Sequence, residues 1–82
     1  MKLTYDQKHN IAYIYLRDAI EEVDTIRVSD ELNVDIAPDA TVYGIELLNA
    51  NAQLAAAGGR TFELENSETG AHIEVELPDS AA

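Results

Sequence analysis

Eighty-two residues allow one domain, and a chain this short buries only about 60 to 65% of its unfolded surface, so its core is thin. Sixteen acidic residues against five basic ones give a net charge of -11, which opposes direct binding to nucleic-acid phosphates and to anionic membranes. The absence of cysteine excludes disulfides, thiolate catalysis and the common structural zinc sites.

Residues 2–5 read as a first strand, with Leu3 and Tyr5 facing one way and Lys2 and Thr4 the other, followed by a polar turn at 6–10. Residues 11–16, IAYIYL, carry the strongest strand signal of the chain, being rich in Ile and Tyr. Ala12, Ile14 and Leu16 take one face while Ile11, Tyr13 and Tyr15 take the other. Both faces are apolar, which predicts a central position, or an outer face covered by the helix, the C-terminal segment or a second subunit. Residues 17–22 are acidic without a sustained period and read as a loop with at most one helical turn. A third strand follows at 25–29, carrying Ile26 and Val28.

Residues 32–50 organise the rest. Leu32, Val34 and Ile36 alternate with Asn33 and Asp35, and Tyr43, Ile45 and Leu47 alternate with Gly44 and Glu46, around a turn at 38–41. Burial on one face selects a hairpin register with Ile36 opposite Tyr43, Val34 opposite Ile45 and Leu32 opposite Leu47; a one-residue slip would set Leu32 against Glu46. The reverse face then holds Asp35 across from Gly44 and Asn33 across from Glu46.

The opening YD turn before A-Y-I-x-L, at Tyr5, Asp6, Ala12, Tyr13, Ile14 and Leu16, is joined by a second pattern at Val34, Asp35, Asp39, Val42, Gly44, Ile45, Glu46, Leu48 and Ala50. Together they resemble the bacterial and archaeal family of domain of unknown function 2283, over roughly the first fifty residues. The resemblance implies no activity. It implies a Gly after the turn Asp where this chain has Ala40, so the turn is either a right-handed type I or strained. It also implies an antitoxin-like role against a basic protein partner.

After Leu48, the run NANAQLAAAGG predicts one short helix with an Asn cap and a stop at Gly58 and Gly59, which act as a hinge. Residues 61–65 and 71–77 form a second hairpin around a turn at 66–70, ended by Pro78, with 79–82 frayed. Phe62 and Leu64 face Ile73 and Val75, leaving Glu63, Glu65, His72, Glu74 and Glu76 on the outer face. The expected fold is α+β: an antiparallel β-meander of four to five strands with the short helix, over 1–57, and the C-terminal hairpin, 58–82, as an extension of the same domain. Short connections favour neighbouring strands.

No segment has the length of a membrane span or the apolar core of a signal peptide, so a soluble cytoplasmic protein is expected. The acidity fits plain solubility, a basic protein partner or a saline host, solubility being the commonest cause. Nothing implies a cofactor, and no nucleophile has an activating neighbour. Asp35 and Glu46, with Asn33, form a candidate carboxylate site for a divalent cation or weak acid–base chemistry, and His72 among the glutamates is a second; solvated carboxylates are the commoner outcome for both. His9, near Asp6, reads as a salt-linked surface residue. Tyr5 and Tyr43 read as core. Tyr13, Tyr15 and Ile11, on the second face of an apolar strand, read as an interface. The leading expectation is a non-enzymatic binding module that forms a homo-oligomer or takes a basic protein partner.

Overall fold

The computed structural model describes residues 1–19, 21–56 and 61–76. Five strands, β1 (Lys2–Asp6), β2 (Ile11–Tyr15), β3 (Asp24–Ser29), β4 (Leu32–Ile36) and β5 (Val42–Leu48), make one antiparallel sheet. A seven-residue helix α1 (Ala50–Ala56) follows, then a separate hairpin of β6 (Thr61–Glu65) and β7 (His72–Glu76). The α+β architecture expected from the sequence is therefore present. The expected Gly58–Gly59 hinge, the Pro78 strand end and the 79–82 tail lie outside the described residues.

Strand order is β1-β2-β5-β4-β3, so one connection does not join neighbours. After β2 the chain runs along one end of the sheet to the far edge, and β3, β4 and β5 then return as a meander that brings β5 beside β2. The reason lies in the side chains. β2 is apolar on both faces and takes an interior place, whereas β3 is exposed along its whole length and forms an edge.

Arg17 fastens that crossing segment. Its guanidinium donates to Glu21 at 3.2 Å, to Asp39 at 3.1 Å and to the Thr41 hydroxyl, linking it to the β4–β5 loop. In that loop Ala40 N–H donates to Ala37 C=O at 2.9 Å with Pro38 at the second position, and Asp39 keeps a negative φ, so the turn is type I. Ala40 follows at φ 70, the left-handed position where such loops favour glycine. Both alternatives drawn from the sequence thus hold at once. The register of β4 with β5 is as expected for Val34↔Ile45, Leu32↔Leu47, Asp35↔Gly44 and Asn33↔Glu46. Ile36 pairs with Val42 and not with Tyr43, because Tyr43 is an extra residue at a bulge.

The opposite end is tied by amides. Asn10 (φ 61) and Asn49 (φ 52) both occupy left-handed backbone, which asparagine tolerates. Asn49 precedes α1, but its side chain turns to Asn10 and Glu31. The cap comes from the β1–β2 turn instead: Asn51 N–H donates to Asn10 Oδ1 at 2.7 Å and Ala50 N–H to Asn10 C=O at 3.1 Å. The Tyr5 hydroxyl donates to Asn51 Oδ1 at 2.6 Å, and α1 packs against β2 above a fully buried Ala12.

Candidate functional site

Period two assigns each face of the sheet. Leu3, Tyr5, Ala12, Ile14, Ile45, Leu47, Leu32, Val34, Ile36 and Ile26 share the apolar face through the pairs Leu3↔Ile14, Ile14↔Ile45, Val34↔Ile45 and Ile26↔Val34. The reverse face carries two rows, Lys2, Tyr15, Gly44, Asp35, Thr25 and Thr4, Tyr13, Glu46, Asn33, Arg27, each running across all five strands.

Gly44 is the centre of that reverse face. It is buried, and a Cβ there would run into the Tyr13 ring and hydroxyl. Tyr13 lies diagonally across this gap, passes over β5 and donates its hydroxyl to Asp35 Oδ2 on β4 at 2.5 Å. The other oxygen of Asp35 accepts from the Thr25 hydroxyl on β3 at 2.6 Å. Two strands, β4 and β3, are thereby joined by side chains to β2 across the notch. Beside this row Asn33 Nδ2 donates to Glu46 Oε1 at 3.0 Å. Burial, reinforced by the bond to the Asp35 carboxylate, pushes the Tyr13 phenol well above its usual range, so it stays a donor at any ordinary pH.

Around Tyr13 the other rings gather. The Tyr13 and Tyr15 centroids are 4.4 Å apart, and Tyr43, turned by the bulge, meets Tyr15 edge-on at 6.4 Å. Lys2 Nζ sits 4.8 Å above the Tyr15 ring. Lys2, Tyr15, Arg17, Asp18 and Tyr43 line an open cleft at this end of the sheet.

The sequence-predicted residues are distributed as follows. Asp35, Glu46 and Asn33 do share one face, but the two carboxylates are held by different partners, Tyr13 and Thr25 for Asp35 and Asn33 for Glu46. Among the described residues no three His, Asp or Glu side chains gather so as to hold a metal ion. His72 lies opposite Glu65 on the hairpin, with its ring nitrogen 3.5 Å from Gly70 C=O. His9 donates its backbone N–H to Asp6 at 3.0 Å and places its ring 2.7 Å from the same carboxylate, and these bonds hold Asp6 below the usual carboxylate range. Asp39 is lowered likewise by the Thr41 hydroxyl and N–H, with Arg17 adding to them. Ile11, Tyr13 and Tyr15 lie half-buried on the reverse face. Thr25 and Tyr43 are members of this face that the sequence reading did not assign to it. A glycine within a strand beside a tyrosine-bearing neighbour was the available signal, since it marks close approach.

Fold and face define a small α+β protein whose five-stranded antiparallel sheet is locked on one side by a tyrosine, carboxylate and hydroxyl row and left apolar on the other. The chain belongs to the family described as protein of unknown function (DUF2283), whose family model matches residues 2–51. That match spans all five sheet strands and the first residues of α1, and leaves out β6 and β7. No curated protein and no solved structure matches the chain. Among the described residues no helix is long and apolar enough to cross a membrane.

Proposed function

We propose that the protein is a non-enzymatic binding module that associates with itself through the apolar face of its sheet. The observation that carries this reading is the core. Among the described residues only Ala12, Ala37, Ala50 and Gly44 are buried, and no large side chain is fully buried. A sheet face has to be covered by a second layer to gain from its apolar side chains, each contributing about 1.5 to 3 kcal/mol when fully removed from water. Here α1 shields the β2 side, while Ile26, Val42 and Leu16 remain exposed at the margins of the face.

The reverse face is the weaker candidate for the contact. Tyr13 already has its hydroxyl satisfied by Asp35 and its ring spent on Gly44 and Tyr15, so its polar and apolar parts are both used within one chain. Sedimentation equilibrium tests the reading. A dimer or larger assembly is expected, and Ile45→Ser should weaken it while Tyr15→Ser leaves it intact. A well-folded monomer at tens of micromolar would overturn it.

A further inference from the structure

We infer that the β6–β7 hairpin of one copy lies with its apolar face across the β3–β4 end of the sheet of a second copy, with the same contact made reciprocally. This rests on the self-association reading above and names what covers the open face.

The hairpin has two unlike faces. Phe62↔Val75 and Leu64↔Ile73 are paired on one side, and these four side chains are 44, 53, 53 and 62% exposed for Phe62, Leu64, Val75 and Ile73. The other side carries Glu63↔Glu74 and Glu65↔His72 in direct opposition. A two-stranded ribbon is marginal by itself in water, and like charges placed opposite each other weaken it further. Its apolar side needs a surface. With Phe62, Leu64, Ile73 and Val75 this open, that surface is not the sheet of its own chain.

The sheet has the matching need. Five strands at about 4.8 Å spacing and about 17 Å length offer roughly 400 Å² on the apolar face, against about 800 Å² that each partner gives to a stable interface. Direct contact of two such faces alone falls short. A hairpin added from each side supplies the missing area with apolar side chains of the right kind. The β3–β4 end is the place that receives it, since α1 occupies the β2 side and Ile26 on β3 is 53% exposed. Laid in this way, the hairpin turns Glu63, Glu65, Glu74 and Glu76 to water, and the reciprocal contact closes a two-fold dimer. Each copy carries a charge of -11, so added salt should tighten the dimer by screening the repulsion between copies.

The chain has no cysteine, so introduced ones report cleanly. Full-length Ile26→Cys carrying a tag, mixed with untagged full-length Ile73→Cys and oxidised, should give a disulfide-linked heterodimer on a non-reducing gel. Full-length Phe62→Ser with Val75→Ser should raise the dimer Kd at least tenfold while far-UV circular dichroism keeps the sheet signal. A dimer in sedimentation without the mixed disulfide overturns the hairpin placement and leaves self-association standing. A chain bearing both cysteines that closes on itself and sediments as a monomer overturns both, because the hairpin then covers its own sheet. A monomer with neither crosslink overturns both as well.

Discussion

Two glycines, one in the five-stranded sheet and one in the C-terminal hairpin, show how differently the two regions are held. Gly44 keeps ordinary strand backbone and is needed for space, because the Tyr13 ring occupies the volume a side chain would take. Gly70 has φ 78 and nothing within 4 Å of where a Cβ would stand, so it is needed for backbone freedom alone. The sheet is fastened by side chains that reach across strands, Tyr13 to Asp35, Thr25 to Asp35, Asn33 to Glu46. Among the described residues the side-chain bonds of the hairpin are local: Asn66 Oδ1 accepts from Glu68 and Thr69 N–H, and Thr69 Oγ1 accepts from Ala71 N–H, all within its turn. Strand pairing is common to both. Among the described residues only the sheet adds a contact, Tyr13 to Asp35, that specifies which strands lie two apart.

The largest effect that could break this contrast is Gly44→Ala. The new methyl group forces Tyr13 off Asp35, and overpacking of this kind costs about 1 to 3 kcal/mol, before the lost hydrogen bond is added. Thermal unfolding should fall by roughly 10 °C, taking about 4 to 8 °C per kcal/mol for a domain of this size. The penalty should shrink in a Tyr13→Ala background, since the obstacle is gone, and a double-mutant cycle measures that coupling. Gly70→Ala should cost about 1 to 2 kcal/mol for entering left-handed backbone, felt only by the hairpin. Hydrogen exchange would show it: β6 and β7 amides faster, β2 and β5 amides unchanged. Equal global losses from both substitutions would erase the distinction.

Next in size is Tyr13→Phe, which removes the donor and leaves Asp35 with Thr25. A bond to a carboxylate contributes about 1.5 to 3 kcal/mol. Its pH dependence sharpens the point. The phenol of the folded protein is raised above its unfolded value of about 10, so the stability it confers is complete below pH 10 and is lost as pH climbs toward the folded value. Wild type and Tyr13→Phe should therefore differ most in denaturant midpoint below pH 10 and converge above it. A gap that widens with alkaline pH would contradict the assigned cause.

Much of this arrangement was legible in the alternation of residues. Val34 opposite Ile45 and Asp35 opposite Gly44 follow from burying one face of a single ribbon, a local constraint that leaves little choice. The hairpin pairs Phe62↔Val75 and Leu64↔Ile73 follow in the same way. Tyr13 meeting Asp35 does not, because their strands are separated by β5 and the contact exists only once β2 and β5 are neighbours. The apolar reverse face of β2 pointed to an interior position without saying beside which strand. The Tyr43 bulge escaped as well, since a period of two carries no mark of an inserted residue. The run after Leu48 offered an Asn cap of its own, whereas the first N–H groups of α1 are met by Asn10, about forty residues earlier in sequence.

Ala40 offers the smallest and sharpest test of how the sheet region is held. It stands at φ 70 directly after a type I turn, and an L side chain there is strained by about 1 to 2 kcal/mol. Glycine would remove that strain but enlarge the freedom of the unfolded chain, returning about 0.5 to 1 kcal/mol. Ala40→Gly should therefore stabilise the protein by about 0.5 kcal/mol, read as a higher urea midpoint with an unchanged slope. The gain depends on the loop staying put, which Arg17 ensures through Asp39 and Thr41. In an Arg17→Ala background the loop can relax and Ala40 can leave the left-handed region, so the benefit of glycine should fall toward zero. A gain of equal size in both backgrounds would mean that the turn sequence alone dictates this backbone and that the crossing segment contributes nothing to it.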